Sequence, residues 1–309
     1  MSANRFMGTG VAMVTPFHAD GSIDWESLKK VIRFLSDGRV EYLVVMGTTG
    51  ENVNIGKEEK QAIFSFIAEH NEAGLPLVAG IGGNNTAEVL EGLKKTSLDG
   101  YHAILSVSPY YNKPNQEGIF HHYRLIGEAS QLPVIMYNVP GRTGMNVTAE
   151  TTLRIASDCP NVIATKEACG NMEQIMQVIK YKPKGFEVIS GDDAITLPMI
   201  ACGAIGVISV AANAYPLEFS EMVRRCLKGD FAGARLLHYP LIDIITSMFT
   251  EGSPSGVKAY MNQMGLCGNY FRMPVYPVSE GMYKKMALMA EKLQQSVPQE
   301  LLSMHLVSE

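Results

Sequence analysis

Residues 161–170 read Asn-Val-Ile-Ala-Thr-Lys-Glu-Ala-Cys-Gly, a short apolar run that delivers one lysine, Lys166, to its carboxyl end. The run Val162 to Thr165 is β-branched or small and lies between Pro160-Asn161 and Gly170, which predicts a buried parallel strand. Lysine is almost never buried unless it is paired or used. Lys166 therefore either marks the exit of the strand into solvent or is a desolvated amine that attacks carbonyl carbons and forms a Schiff base.

The pattern of a short apolar run followed by a helical run repeats on both sides of this stretch. We expect strands at residues 9–15, 42–46, 77–81, 103–107, 134–137, 162–165, 186–190 and 206–210, and helices at residues 25–35, 57–70, 86–97, 116–129, 148–157, 172–180, 193–202 and 217–227. Such alternation indicates a parallel sheet with right-handed crossovers. Eight units in roughly 220 residues favour an α/β fold of the (β/α)8 TIM barrel type. Because periodicity does not show closure, an open doubly wound sheet stays as the alternative.

Residues 230–309 have a different pattern, which predicts three further helices at residues 231–249, 256–264 and 279–294. No linker or low-complexity tract separates them from the preceding units. We therefore expect residues 1–229 to form the barrel, which carries the catalytic site, and residues 230–309 to form a C-terminal helical extension packed on it.

Composition excludes several classes of protein. The 309-residue chain is 46% hydrophobic and 18% charged, with a net charge of −5, and it has no lysine or arginine block that would indicate a nucleic-acid partner. The amino terminus lacks the pattern of a signal peptide, and no apolar run approaches a membrane span, so we expect a cytoplasmic protein without a membrane partner. Five cysteines and seven histidines show no metal-ligand spacing.

Polar residues follow the predicted strands, where the chemistry of a barrel is located. After the second strand, Gly47-Thr48-Thr49-Gly50-Glu51 combines flexible glycines with two hydroxyls, which forms either a turn or a cradle for a carboxylate. The fourth strand leads to Tyr110-Tyr111, which are either aromatic side chains at the rim or proton relays. The fifth ends at Tyr137, and Arg142 follows on a glycine-flanked loop, where it is either solvated or grips a carboxylate.

Two other motifs have simpler interpretations. Asp192 and Asp193, after the seventh strand, are expected to act as helix N-caps. The stretch Gly80-Ile81-Gly82-Gly83-Asn84-Asn85 resembles a dinucleotide fingerprint, but it ends in Asn and no acidic residue closes the next strand, which argues against nicotinamide binding.

Five motifs together resemble the dihydrodipicolinate synthase and N-acetylneuraminate lyase family, the lysine-dependent pyruvate aldolases. They are Gly-Thr-Thr-Gly-Glu at residue 47, Ser-Pro-Tyr-Tyr-Asn at residue 108, Tyr-Asn-Val-Pro-Gly-Arg-Thr-Gly at residue 137, Lys-Glu-Ala at residue 166 and Ser-Gly-Asp-Asp at residue 190. They occur in family order and span most of the chain. Thr49, Arg142 and the Lys-Glu-Ala motif are similar to the dihydrodipicolinate synthase branch rather than the sialic-acid branch.

The resemblance implies a role for each matching residue. Lys166 would form the Schiff base with pyruvate, and Tyr137 would be the central acid and base, exchanging protons through Thr49 and Tyr111. Thr48 and Thr49 would hold the pyruvate carboxylate, and Arg142 that of L-aspartate 4-semialdehyde. The positions that match Gly191 and Ile208 turn main-chain carbonyls toward the site.

The resemblance also implies the wider context. The reaction would serve lysine and diaminopimelate biosynthesis and would need no separate cofactor. A homotetramer built as two tight dimers is expected, because the tyrosine matching Tyr111 reaches the site of a neighbouring subunit. Two alternatives are another Schiff-base pyruvate or 2-keto-acid aldolase, such as N-acetylneuraminate lyase, and a non-enzymatic 2-keto-acid sensor, which would have no need for an amine and a proton relay.

Feedback inhibition by lysine is the point at which the sequence departs from inhibited relatives. Their effector lies among positions that match Asn52, Val53, Lys57, Lys60, Asn84, Glu88 and Tyr110. Lys57 and Lys60 replace histidine or an acid, and an added cation 4 Å from the effector's ammonium is repulsive by about 1 to 4 kcal/mol. We therefore predict weak or absent inhibition, to be measured by titrating lysine into the activity assay; strong inhibition at low millimolar lysine would contradict this.

Overall fold

Eight parallel strands form a closed barrel in the computed structural model, which describes residues 3–296. The strands are Gly8–Ala12 (β1), Tyr42–Val45 (β2), Leu77–Gly80 (β3), Ala103–Val107 (β4), Val134–Asn138 (β5), Val162–Glu167 (β6), Glu187–Ser190 (β7) and Gly206–Ser209 (β8). Each strand pairs with the next in sequence, and β8 pairs with β1. The predicted (β/α)8 barrel is thus confirmed, and the open sheet is excluded.

Helices surround this barrel and continue beyond it. They are Trp25–Asp37 (α1), Lys57–Glu69 (α2), Thr86–Lys95 (α3), Gln116–Ala129 (α4), Pro140–Thr143 (α5), Ala149–Asp158 (α6), Met172–Tyr181 (α7), Thr196–Cys202 (α8), Pro216–Leu227 (α9), Phe231–Thr250 (α10), Ser255–Gln263 (α11) and Glu280–Ser296 (α12). Side chains cap several of them: Asn115, for example, accepts a hydrogen bond from the Gly118 N–H at 2.9 Å and starts α4. Short 3-10 helices cover Ala3–Phe6, Asn52–Asn54, Asp193–Ile195 and Ala211–Asn213.

Many boundaries differ from the sequence prediction by one or two residues, and a few elements differ in ways that matter for the site. β1 ends at Ala12 rather than Thr15, and β6 extends to Glu167. The helix expected at residues 193–202 begins as a separate 3-10 turn, Asp193–Ile195, before α8. Arg142 lies on the one-turn helix α5 and not on a loop, because Pro140 at the first helical position and the left-handed Gly144 after the last delimit a single turn.

The join between β1 and β8 depends on glycine at one end and on an asparagine at the other. Gly8 and Gly206 both have positive φ, and a Cβ on Gly206 would lie 2.0 Å from the Gly8 carbonyl oxygen, so no larger residue fits there. At the carboxyl end, the buried Asn213 side chain donates to the Ala12 carbonyl at 2.8 Å and accepts from the Val14 N–H at 3.1 Å. The first and last units are thus tied together at the end where the strands terminate.

The barrel interior is a separate apolar cluster from the layer between strands and helices. Tyr42 crosses the interior, and its ring fills the space that a Cβ on Gly10 would occupy. Its hydroxyl donates to the Val207 carbonyl at 3.2 Å, and its ring meets Phe6 edge-on at 5.4 Å. The amino-terminal half of the barrel is therefore packed solid, which leaves the carboxyl end as the place for a site.

The C-terminal helices contact the barrel through a buried ion pair. Helix α10 packs against α9, α11 and α12. Lys258 on α11 donates to Glu51 at 2.8 Å and to the Tyr270 carbonyl at 3.0 Å, with both charged side chains completely excluded from solvent. Lys258 also lies over the rings of Phe17 and Phe271, at 4.5 and 4.6 Å. Glu51 ends the loop after β2, so the C-terminal helices fix that loop directly.

Replacing Lys258 by methionine should destabilise the chain by about 3–5 kcal/mol, since Glu51 would then be a buried charge without its partner. Urea unfolding followed by circular dichroism measures this free energy. The double variant Lys258→Met/Glu51→Gln should regain part of the loss.

Lys284→Met is the matched control, because its ion pair with Glu280 is largely exposed. Equal effects of Lys258→Met and Lys284→Met on the free energy of unfolding would show that burial of the first pair contributes nothing.

Candidate active site

Lys166 lies inside the barrel near the carboxyl end of β6. It pairs in register with Tyr137 of β5 and Ile189 of β7, and only 4% of its surface is exposed. Its Nζ lies 4.2 Å from the centre of the Tyr137 ring. The lysine is therefore a buried amine over an aromatic face, and the interpretation that it marks the exit of the strand into solvent is wrong.

Burial lowers the pKa of Lys166 to about 7, because an ammonium loses its hydration inside the barrel. The negative charge of Asp193 opposes this shift, and the nearby charge of Arg142 adds to it. Among residues 3–296 no carboxylate forms an ion pair with Lys166. A substantial share of this amine is therefore neutral, and hence nucleophilic, near pH 7.

Gly191 provides the space that Lys166 occupies. A Cβ at this position would lie 3.0 Å from two carbons of the Lys166 side chain and from the Ala168 Cβ. The Gly191 N–H also donates to the Glu167 carbonyl at 2.8 Å, which holds the two strand ends together. Any larger residue at position 191 would press on the amine's own side chain.

Tyr137 is the second buried titratable group inside the barrel. Desolvation raises the pKa of its phenol to about 12. The positive charge of Arg142 acts in the opposite direction and lowers this pKa. The phenol is thus protonated at neutral pH and is available as a hydrogen-bond and proton donor. Its ring faces the same apolar interior as Ile208, which is 1% exposed on β8.

A cavity of about 210 Å³ opens beside Tyr137. Thr48, Gly80, Tyr110, Tyr137 and Arg142 contribute to its walls, together with Asn52 and Val53. Its size suits a small organic acid. It joins the loops after β2, β3, β4 and β5 at the end of the barrel where the sequence predicted chemistry.

The loop after β2 has a constrained backbone. Met46 and Glu51 adopt left-handed conformations at its two ends, with φ of 58° and 56°. Thr15 donates to the Gly50 carbonyl at 2.7 Å, and Lys258 holds Glu51. Between these anchors Thr48 is exposed on the cavity wall and Thr49 is buried, so the two hydroxyls face different surroundings.

Arg142 and Tyr111 lie farther from the amine. Arg142 is exposed on α5 and contributes to the rim of the cavity. Tyr111 is 89% exposed, with a left-handed φ of 74°, and it does not line the cavity of its own chain. Thr48, Tyr137 and Arg142 therefore line one cavity, and Lys166 contacts the Tyr137 ring, whereas Tyr111 lies outside the cavity lining.

The two aspartates after β7 have different roles. Asp192 caps the 3-10 turn as predicted, accepting from the Ala194 N–H at 3.0 Å. The N-cap interpretation is wrong for Asp193, which is buried and accepts from the N–H groups of Val210 and Ala211 at 3.0 and 2.8 Å. It ties the end of β8 to the β7 loop, and burial raises its pKa to about 6.

Glu167 is a further buried carboxyl that sequence reasoning left without a role. It accepts from the Asn138 side chain at 2.9 Å and from the Cys169 N–H at 3.0 Å, and burial raises its pKa to about 7. Its position immediately after Lys166 was the only signal. It anchors the turn that follows β6.

Three of the seven effector positions named above contribute to the wall of the cavity. Asn52, Val53 and Tyr110 line it. Lys60 is partly buried, and its pKa is lowered by burial and by the charge of Lys57. The two lysines are thus electrostatically coupled, which agrees with the repulsion expected toward a second ammonium.

Residues 3–296 contain neither a cluster of metal ligands nor a membrane-spanning helix. No three His, Cys, Asp or Glu side chains in these residues are placed to hold a metal ion together. None of the described helices combines the length and apolarity that crossing a membrane requires.

A closed (β/α)8 barrel with a desolvated lysine and a buried tyrosine at its carboxyl end is the arrangement expected of a class I aldolase. Comparison of the sequence with protein families matches residues 5–293 to the dihydrodipicolinate synthetase family. The chain belongs to that family.

Individual relatives agree with this assignment. A 4-hydroxy-tetrahydrodipicolinate synthase of Flavobacterium psychrophilum is 50% identical over 288 residues, which cover 93% of this chain and 98% of the relative, and one of Phocaeicola vulgatus is 47% identical over 95% and 99%. The crystal structure of dihydrodipicolinate synthase from Aquifex aeolicus superposes with a TM-score of 0.90 at 37% identity, covering 94% of this chain and 98% of that one.

Replacing Lys166 by methionine should raise the free energy of unfolding while removing the nucleophile. The folded-state pKa of about 7 lies below the unfolded value of 10.5, so between these pH values the unfolded chain binds a proton that the folded chain does not. The wild type therefore gains stability as the pH rises through this window. The variant should be more stable by ~2–4 kcal/mol at pH 6.5, and the gap should narrow toward pH 10.

Urea unfolding of the wild type and of Lys166→Met at pH 6.5 and 9.5 measures the difference between their free energies of unfolding. Lys284→Met, at an exposed site, should leave the free energy of unfolding unchanged at both values. A Lys166→Met variant that is less stable than the wild type throughout would show that the amine is not desolvated.

Proposed function

We propose that this chain condenses pyruvate with L-aspartate 4-semialdehyde to give 4-hydroxy-tetrahydrodipicolinate, the compound whose synthesis its curated relatives are named for. The observation that carries the proposal is the buried Lys166 amine, with its pKa lowered to about 7, over the ring of Tyr137. Membership of the family supports the choice of substrates. The enzyme is thus a lyase of the class I aldolase type in lysine and diaminopimelate biosynthesis.

The reaction begins with the neutral amine of Lys166. Nζ attacks the keto carbon of pyruvate, water leaves, and a protonated imine forms. The imine withdraws electrons, so that a proton leaves the methyl group and an enamine results. Tyr137 donates and accepts the protons of these steps, and Thr49 and Tyr111 pass them on.

The carboxylates of the two substrates are held at different depths. Thr48 and Thr49, with the free N–H groups of their loop, bind that of pyruvate, and the main-chain carbonyls of Gly191 and Ile208 face the bound substrate. Arg142 binds the carboxylate of the semialdehyde at the rim, where a guanidinium forms two parallel hydrogen bonds. The enamine then attacks the aldehyde carbon of the semialdehyde. The amino group of the semialdehyde next attacks the imine carbon, which closes the ring and releases Lys166.

Assembly completes the site in this proposal. Tyr111 is 89% exposed in the single chain, so it reaches a reacting proton only if it enters the site of a neighbouring subunit. A homotetramer built from two tight dimers provides this arrangement. The protein acts in the cytoplasm and requires no cofactor.

Incubation with pyruvate and borohydride should add one reduced pyruvyl group to Lys166, measured by intact mass and peptide mapping. The adduct should be absent in Lys166→Met. A folded wild-type protein that gives no adduct would overturn the aldolase mechanism and favour a non-enzymatic 2-keto-acid sensor.

The aldehyde is tested by the same protein with Arg142→Ala. Its kcat/KM for aspartate semialdehyde should fall ~10–100-fold, because a charge-assisted hydrogen bond contributes about 1.5–3 kcal/mol, while the pyruvyl adduct still forms. Arg33→Ala, at an exposed surface arginine, is the control. An adduct without turnover of the semialdehyde by the wild type would point to another pyruvate aldolase, such as N-acetylneuraminate lyase.

A further inference from the structure

The backbone of Tyr137 is held from outside the barrel by one phenol. Tyr123 on α4 is completely buried, and its hydroxyl reaches the last rung of the ladder between β4 and β5. It donates to the Ser106 carbonyl at 2.9 Å and accepts from the Tyr137 N–H at 3.3 Å. A helix of the outer layer thus contacts the main chain of the residue whose ring lies under Lys166.

This contact lies at the last hydrogen-bonded rung between β4 and β5. The register pairs Val107 with Tyr137, so the ladder directs the Tyr137 N–H toward Ser106 and its carbonyl toward the Ser108 N–H, which donates at 3.0 Å. Beyond this rung the two strands separate into the loops that form the cavity rim. The phenol therefore braces the point at which regular hydrogen bonding ends.

Ser108 extends the brace to the other side of Tyr137. Its hydroxyl donates to the Tyr137 carbonyl at 2.9 Å and lies 3.0 Å from the Tyr123 hydroxyl. The Tyr123 and Ser108 hydroxyls make three oxygen contacts, to the Ser106 carbonyl, to the Tyr137 carbonyl and to each other, with two protons between them. The Tyr137 N–H thus bonds to the Tyr123 hydroxyl, and the Tyr137 carbonyl accepts from the Ser108 hydroxyl.

We propose that Tyr123, acting with Ser108, is a positioning residue that sets the orientation of the Tyr137 ring relative to the Lys166 amine. Tyr123 touches neither the amine nor the cavity, and it acts only through the Tyr137 backbone. The inference rests on the proposed function, in which Tyr137 moves protons to and from the pyruvate adduct. Proton transfer depends steeply on distance and angle, so a small rotation of the ring slows the step without preventing imine formation.

A second tyrosine–serine pair in the same chain provides a matched control. Tyr260 on α11 is also completely buried, and its hydroxyl lies 2.7 Å from that of Ser247, which donates to the Ile244 carbonyl at 2.7 Å. This pair joins two C-terminal helices. Tyr260→Phe therefore removes the same buried hydroxyl as Tyr123→Phe, with the same kind of partner, at a place without contact to Tyr137.

The experiment follows the exchange of pyruvate's methyl protons with deuterated water by NMR, together with borohydride trapping of Lys166. Tyr123→Phe should slow exchange by ~10-fold or more while the trapped fraction at saturating pyruvate stays within about twofold of wild type. Tyr260→Phe should leave both values within about twofold, although both variants should lower the melting temperature by a similar few degrees. Equal exchange rates in the two variants would overturn the inference.

If Tyr123→Phe does not fold, Ser108→Ala tests the same positioning role. It removes the hydroxyl that contacts both tyrosines but leaves the Ser108 N–H bond to Tyr137, so exchange should slow by about threefold or more, against no change in Ser247→Ala. No change in Ser108→Ala would refute the brace. Absence of any adduct in the wild type would instead refute the proposed function, whereas normal trapping with unaltered exchange in the variants would refute the positioning role alone.

Discussion

The desolvated amine of Lys166 is the constraint on which the rest of the site depends. An ammonium inside a barrel loses most of its hydration, and no carboxylate among residues 3–296 pairs with it to compensate. The barrel tolerates this because its amino-terminal half is packed solid around Tyr42 and its strands are joined in a full circle. A rigid framework prevents the rearrangement that would expose the amine to water.

Rigidity at the carboxyl end comes from a few buried polar side chains that bond to main-chain groups. Asn213 joins the residues after β1 to the turn after β8, Asp193 joins the β7 loop to β8, and Glu51 joins the β2 loop to the C-terminal helices. Asn213 and Asp193 bond to N–H or C=O groups at the ends of β1 and β8, and Glu51 pairs with the Lys258 ammonium. The loops of the site are therefore held by directional bonds and not by apolar packing alone.

Local patterns were enough to predict the barrel, the placement of Lys166 and Tyr137 at strand ends, and the loop that carries Thr48, but not the one-turn helix that carries Arg142. The residues that sequence reasoning missed act through partners distant along the chain: Tyr123 bonds 14 residues away, Asp193 17 and Lys258 207. Hydrophobic periodicity and turn residues report the conformation of adjacent residues, so they contain no information on which loop a buried carboxylate will reach. For Asp193 the local pattern favoured a cap because an acidic residue before a helix ordinarily serves that purpose.

Tyr111 marks another limit of the same kind. Its sequence context left it as either an aromatic side chain at the rim or a proton relay. In the structure its side chain is 89% exposed on a left-handed backbone and lies outside the cavity lining.

The buried pair of Lys258 and Glu51 bears on where this chain can be divided. A boundary after residue 229 separates the eight strand–helix units neatly in the sequence, but it would remove the only cation that pairs with Glu51 among the described residues. A fragment ending there would carry an uncompensated carboxylate beneath the loop that forms one wall of the cavity. The helices after residue 229 therefore contact the loop after β2 as well as the last strand–helix unit.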